Sequence, residues 1–349
     1  GAADLLPESH PLRIGTFGTH GTRYANFAVQ NADLILSVGS RLDTKATGSP
    51  PSTFARGAWK AVVDIDTQEL SKFTHFGLTV ELPVRADAGT FVDAMFPDAK
   101  EANCASWLER IRGWKSRYGH ATEPRAAGAL VDPYQLFDQM SGCIPENAQV
   151  WSDTGSTIAW LMQAFRPRGE QRLWHDFNNT AMGWSIPAAI ASALACPEKP
   201  VYCVVGDGSL MMNLQELATV IAYDLPLKII CLDNKGYSMI QQTQDQWLGG
   251  QYVASSSTGG LRMPDLLDVA RSFGLPVSRL SCNADIATCL DGVTSRQGAF
   301  FLLVDIDPAC RVSPQVKFGR PNEDPEPLLD RETFLSEMII PPLDVSRSA

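Results

Sequence analysis

Short apolar runs alternate with amphipathic segments along nearly the whole chain, and several of the runs are apolar at almost every position. "DLILSVGS", "AWKAVVDID" and "LTVELPVRAD" stand in the first hundred residues, and "NAQVWSD", "RLWHDF", "PVYCVVGDG", "PLKIICLDN" and "AFFLLVDID" follow from residue 147 onward. Strands of this kind are buried on both faces, as in a parallel sheet covered by helices. Between them, "GTRYANFAVQNA", "DPYQLFDQM", "GSTIAWLMQAF", "GWSIPAAIASALA", "SLMMNLQELATVIAYDL" and "MPDLLDVARSFG" read as helices. Asp132 and Pro133 supply the cap and first turn of the second of these. The alternation predicts an α/β protein with a doubly wound parallel sheet, preceded by a further α/β segment. The expected boundaries are 1–100 for the first domain, 101–128 for a linker, and 129–349 for the second domain with a Pro-rich C-terminal tail lying over its surface.

At 44% apolar and 19% charged residues the composition is that of a soluble globular protein. A net charge of −10 leaves no basic stripe for a nucleic acid. No apolar run is long enough to span a membrane. The eight cysteines form no C-x-x-C pair and several sit in apolar runs, so buried reduced thiols and a cytoplasmic setting are expected. No signal peptide is evident. The chain opens at Gly1 on a loop, which suits either a processed terminus or one piece of a larger enzyme.

Chemistry concentrates where "PVYCVVGDG" and "PLKIICLDN" end. In an open parallel sheet, ligands sit beyond the carboxyl ends of the strands. Gly206 and Gly208 allow backbone to approach an anion, and Ser209 is expected to open a helix whose N–H groups favour phosphate. Asp207 offers a carboxylate and Asn234 an amide oxygen. With the Gly236 carbonyl they make a set of hard oxygens suited to Mg²⁺ and phosphate. A turn with Asp207 as a helix cap would account for the glycines alone.

GDG followed after 25 residues by Asn, with "MNLQELATV" and "LPLKIICLDN" in register, resembles the binding signature of thiamine diphosphate (ThDP) enzymes. The resemblance covers nearly the whole chain and is to the acetohydroxyacid (acetolactate) synthase-like family, while "GYSMIQQTQDQWLGG" and the tail "EDPEPLLDRETFLSEMII" look more like ThDP carboligases from surface-sugar pathways. It implies that Asp207, Asn234 and Gly236 hold Mg²⁺. It also implies that Gly155, Ser156 and Thr157 of "SDTGSTIAW" contact the diphosphate beside Gly206, Gly208 and Ser209. In "NTAMGWSIPAAIAS", Met182 would pack under the bent cofactor, with Ala181 and Gly183 against its pyrimidine. The family favours Gln and His where this chain has Ser156 and Thr157.

The first segment resembles the Rossmann-like, FAD-contacting middle domain of the same enzymes. Carried over, the FAD contacts are Gly18, Thr19, His20, Gly39, Arg41, Asp43, Asp64, Ile65 and Asp87. The family's RFDDR is "RLDTK" here, so Thr44 and Lys45 depart from the pattern. By the same resemblance the chain begins partway through the middle domain. The catalytic Glu would then lie on another chain or segment that carries the pyrimidine-binding domain, packed in a homo-oligomer.

"GYSMIQQTQDQWLGG" should line the mouth of the site, with Met239, Gln242, Thr243 and Trp247 as pocket residues. The synthases place a Trp where Thr243 stands, and "QQTQ" offers amides suited to hydroxyls. An exposed polar helix face would also explain the glutamines. The resemblance implies decarboxylation of a 2-keto acid such as pyruvate and carboligation to an acceptor, a 2-keto acid or a ketosugar. Alternatives are an FAD-dependent oxidoreductase like pyruvate oxidase, or a non-catalytic ThDP-binding subunit.

Overall fold

The computed structural model describes residues 2–100, 102–123 and 128–348. Two compact units emerge: Gly1–Arg13 with Arg125–Val312, and Ile14–Pro124 with Ser313–Ala349. This division differs from the boundaries expected at 100 and 129. Asp4 joins the first unit, its carboxylate accepting from Arg172 Nε at 2.7 Å and the Leu173 N–H at 2.8 Å. The segment expected as a linker, read as a helix followed by a looser stretch, does carry a helix, Ala105–Arg117, which belongs to the second unit. The tail also joins that unit and does not extend the large sheet. The buried Arg23 guanidinium binds Glu123 and donates to the carbonyls of Pro325 and Pro327. Glu337 of the tail accepts from Trp114 Nε1 and Tyr118 Oη, each at 2.8 Å. Residues 101 and 124–127 of the expected linker lie outside the described residues.

In the second unit, β1 (Leu34–Val38), β2 (Trp59–Asp64) and β3 (Leu82–Arg85) form a three-stranded parallel sheet in that order. The first unit holds β4 (Gln149–Ser152), β5 (Arg172–His175), β6 (Val201–Gly206), β7 (Leu227–Asp233), β8 (Val277–Leu280) and β9 (Phe300–Asp305). All pairings are parallel and the order is β5-β4-β6-β7-β9-β8.

The run of apolar residues in β6, β7 and β9 has a direct cause. Tyr202, Val204, Ile230, Leu232, Phe300, Leu302 and Val304 point into one core cluster. Val201, Cys203, Val205, Ile229, Cys231, Phe301 and Leu303 point into another on the opposite face. Each such side chain contributes roughly 1.5–3 kcal/mol by leaving water. Burial pushes the Cys203 thiol up to about 12, and all eight cysteines are free thiols.

The chain leaves β4 toward β5 on one side and returns to place β6 on the other. That reversal opens a crevice between the carboxyl ends of β4 and β6, the position where open α/β sheets bind ligands. Among the described residues no helix is long and apolar enough to cross a membrane.

Candidate functional site

β6 and β7 are hydrogen-bonded neighbours, with Gly206 in register with Leu232. Asp207 and Asn234 therefore leave the sheet side by side. Asp207 is held by two backbone donors, the Gly208 N–H at 2.7 Å and the Gly236 N–H at 2.9 Å. The second bond ties the turn after β7 to the carboxylate after β6. Burial first, and then the neighbouring Asp233 carboxylate, push the Asp207 carboxyl up to about 7. Asp233 is ion-paired with Lys235. Asn234 Oδ1 is buried and has no hydrogen-bond partner among the described residues. A buried amide oxygen left bare costs free energy, and a cation beside Asp207 would relieve both groups. Among the described residues no group of three or more His, Cys, Asp or Glu side chains converges on one point. One carboxylate with an amide and a carbonyl oxygen is instead the donor set that Mg²⁺ shares with phosphate.

On the other flank of β6, the turn after β4 leads into the nine-residue helix Ser156–Ala164. Its N-cap is Gly155, at φ 76°, which has no side chain to cap the first-turn N–H groups. Ser156 Oγ is also buried without a hydrogen-bond partner among the described residues. A Cβ on Gly206 would come 3.5 Å from Thr157 Oγ1. Gly155, Ser156, Thr157 and Gly206 thus share the crevice, and an uncapped helix start there suits an anion.

The helix expected to open at Ser209 begins at Asp207 and ends at Leu210; a second helix runs Glu216–Ala222. The predicted single helix breaks around Asn213, whose amide donates to the Gly183 carbonyl at 2.9 Å. Gly183, at φ 83°, is bare because a Cβ would meet Met212 Cβ at 2.8 Å. Met182, next to it, is 38% exposed and Ala181 is exposed. Sequence reasoning missed the residue that holds this segment. Asp153, buried at the end of β4, accepts from the N–H groups of Thr154, Gly183 and Ser185 and from Ser185 Oγ. Its place directly after "QVWS" and before the glycine turn was the available signal.

Helix Ser238–Trp247 carries the expected pocket residues. Met239, Thr243 and Trp247 follow one another at four-residue spacing along one side. Met239 Cβ lies 3.8 Å from where a Cβ on Gly155 would stand. Thr243 is exposed, and its hydroxyl donates to the Met239 carbonyl at 3.1 Å. Trp247 is 54% exposed. Gln242 departs from the expectation. It is buried, and its amide clasps Val312 both ways, Nε2 to the carbonyl at 2.9 Å and Oε1 from the N–H at 3.0 Å. Gln241 and Gln244 are buried as well, so the glutamines are not an exposed polar face.

In the second unit Gly39, Asp64, Ile65 and Asp87 come together where β1, β2 and β3 end. The Gly39 N–H bonds the Val63 carbonyl and the Ala86 N–H the Asp64 carbonyl. Asp43 and Asp87 cap helices, accepting from the N–H groups of Ala46 and Thr90. Arg41 pairs with Glu69 at 3.0 Å. Gly18 and Thr19 lie against the Lys45 backbone, the Thr19 N–H bonding its carbonyl at 2.7 Å. Burial, and secondly the Lys45 charge, push His20 down to about 4. Its imidazole stays neutral in the fold while the unfolded chain takes up a proton below about 6.5. The folded pKa is depressed, so the unfolded state binds more protons in this window. His20's contribution is complete above pH 6.5 and lost as pH falls toward 4, on the order of 3 kcal/mol. Urea unfolding from pH 4 to 8 should show this acid-side decline, and His20→Gln should flatten it; equal slopes would refute the assignment.

The family model described as thiamine pyrophosphate enzyme, C-terminal TPP binding domain matches residues 153–304, and that for the central domain of the same enzymes matches residues 1–95. The chain is 35% identical over 294 residues to an acetolactate synthase large subunit of Parasynechococcus marenigrum (strain WH8102), covering 82% of this chain and 46% of that protein. Against the acetolactate synthase isozyme 1 large subunit of Escherichia coli (strain K12) it is 32% identical over 322 residues, covering 92% and 55%. Against the isozyme 2 large subunit of the same organism it is 31% identical over 316 residues, covering 90% and 55%. The chain thus spans about half the length of the curated relatives it matches. With the strand-end geometry, these matches place the chain in the family of thiamine pyrophosphate enzymes, among relatives that are acetolactate synthases.

Proposed function

We propose that this chain carries the diphosphate- and metal-binding part of an enzyme that removes carbon dioxide from pyruvate and ligates the two-carbon unit to an acceptor carbonyl. The observation that supports it most is the buried, unpartnered Asn234 Oδ1 beside Asp207 at adjoining strand ends. Asp207, Asn234 and the Gly236 carbonyl would hold Mg²⁺. Gly155, Ser156, Thr157, Gly206, Gly208 and Ser209 would receive the diphosphate, with Ala181, Met182 and Gly183 toward the rings. Bound ThDP supplies the electron sink that decarboxylation of a 2-keto acid requires.

The chain's own residues hold and orient. The Gly208 and Gly236 N–H groups fix the Asp207 carboxylate, and the cation would keep it ionised near neutral pH. Asp153 sets the position of 183–185 through backbone bonds. Met239, Thr243 and Trp247 line the approach. A threonine where the synthases have Trp widens and polarises it, which favours a hydroxylated acceptor, a ketosugar over a small 2-keto acid.

FAD would bind at the ends of β1–β3, and Gly39 at φ 59° supports this: the nearest atom to an added Cβ is Ala88 Cβ at 3.4 Å. The catalytic Glu would come from another chain or segment, and the whole enzyme would be a cytoplasmic homo-oligomer. One face of the three-stranded sheet supports a missing neighbour. The register puts Leu34, Leu36, Trp59 and Leu82 on the same side toward the strand starts, and all four are exposed, Leu34 at 58%, while Ala61 and Val63 on that side are already buried. Parallel sheets are covered on both faces.

Product analysis with pyruvate and a panel of keto acids, aldehydes and ketosugars tests this reading, run with ThDP, Mg²⁺ and any companion polypeptide. A carboligation product without oxygen uptake is the expected result. Oxygen consumption coupled to pyruvate loss would favour the oxidase chemistry, and absence of any ThDP binding would overturn both.

A further inference from the structure

Ser255 lies 21 residues beyond Asn234 in sequence, yet it is built into the metal-site turn. It is 1% exposed. Its carbonyl accepts from the Tyr237 N–H at 3.0 Å and from Gln241 Nε2 at 2.7 Å. Its hydroxyl donates to Gln244 Oε1 at 2.5 Å. Gln244 Nε2 in turn donates to the Val253 carbonyl at 3.2 Å. The contact with the turn is close: a Cβ on Gly236 would stand 2.4 Å from the Ser255 oxygen. Gly236 is the residue whose N–H reaches Asp207. Two of the three glutamines of "QQTQ" thus fasten one residue of a distant loop against the turn that carries Asn234 and Gly236. The loop is itself closed, the Ala254 N–H bonding the Gly259 carbonyl at 2.9 Å and the Gly259 N–H bonding the Ser256 carbonyl at 3.0 Å. Ala254 sits at φ 55°, a conformation that an alanine adopts only where its surroundings hold it there.

We propose that Ser255 is a positioning residue for the metal site, setting the turn 234–237 through the Gln241 and Gln244 clasps so that Asn234 and Gly236 meet the cation already ordered. The inference rests on the Mg²⁺–ThDP reading of that site. Without the clasp the turn must be ordered when the metal binds, and the lost preorganisation falls on Mg²⁺ affinity.

The test measures the Mg²⁺ concentration for half-maximal ThDP retention by calorimetry, with the thermal midpoint of the metal-free protein as a second readout. Two variants break the clasp from opposite ends, Ser255→Ala at the hydroxyl and Gln241→Met at the amide. Each should raise the Mg²⁺ requirement about tenfold, the scale of one buried hydrogen bond. Gln171→Met is the control. That buried amide fastens Ser141 and Ile144, away from the metal turn, so its loss should lower the midpoint comparably without moving the Mg²⁺ requirement. An unchanged requirement in both clasp variants overturns the proposal, as does an equal shift in the control. If the unsubstituted protein retains no ThDP at any Mg²⁺ concentration, the underlying reading fails instead.

Discussion

Asp207→Ala should abolish Mg²⁺-dependent ThDP retention while leaving the fold in place. Changing a residue that merely supports a metal ligand costs about 10–100-fold in affinity, so removing the carboxylate itself should cost more than about a hundredfold. The effect on stability is a balance of two opposed terms. The Gly208 and Gly236 N–H groups lose their acceptor, at about 1–3 kcal/mol for each that stays dry. Against that, the variant removes a carboxyl that burial and Asp233 push up to about 7. A folded-state pKa above the unfolded value means that the metal-free fold binds the proton more tightly than the unfolded chain. Its stability therefore falls as pH rises from about 4 to 7, and stays low above that. Without Mg²⁺ the variant should lack this decline, and near neutral pH its thermal midpoint should lie within a few degrees of the parent. Asp207→Asn keeps an acceptor for the backbone and should fold at least as well, yet still lose the cofactor. Wild-type ThDP retention by either variant would remove Asp207 from the metal site.

The strands that pack on both faces were legible because burial leaves no freedom in composition: β6, β7 and β9 are apolar on each side of the sheet. β8, "VSRL", escaped notice because it is an edge strand, half-exposed, with Arg279 turned to Asp305 at 2.9 Å. Asp207 and Asn234 could be paired from sequence because one helix and one crossover fit between two strand ends, which makes those ends neighbours. Contacts that span the chain left no such pattern. Nothing near Arg23 announces that its partners are Glu123 and two carbonyls past residue 320, so the tail's membership of the second unit was hidden. The glutamines of "QQTQ" show a different limit. Side-chain amides serve a ligand and a backbone equally well, and only the positions of Ser255 and Val312 reveal which they serve.

Gly206→Ala and Gly208→Ala should separate room for a ligand from room for the protein. The two glycines flank Asp207, and sequence reasoning gave both the same role of admitting an anion. Their surroundings differ. A Cβ on Gly208 would stand 2.1 Å from Tyr237 Cε1 and 2.6 Å from Cδ1, so the ring must leave its place. Tyr237 belongs to the turn that carries Asn234 and Gly236, and Gly208→Ala should disturb that turn. Overpacking of this kind costs about 1–3 kcal/mol, and ThDP retention should fall about tenfold or more with it. A Cβ on Gly206 meets nothing closer than Thr157 Oγ1 at 3.5 Å, an ordinary contact, and Gly206 has an extended φ of −79° that alanine accepts. Nothing among the described residues requires it to be bare, and Gly206→Ala should leave the thermal midpoint near the parent while still impairing ThDP retention. A double-mutant cycle completes the argument. Tyr237→Ala should restore stability to Gly208→Ala, with a coupling of about 1–2 kcal/mol, and should do nothing for the retention lost in Gly206→Ala. Additive stability effects at 208 and 237 would show that the ring does not keep Gly208 bare. Undiminished retention in Gly206→Ala would show that no phosphate approaches the end of β6.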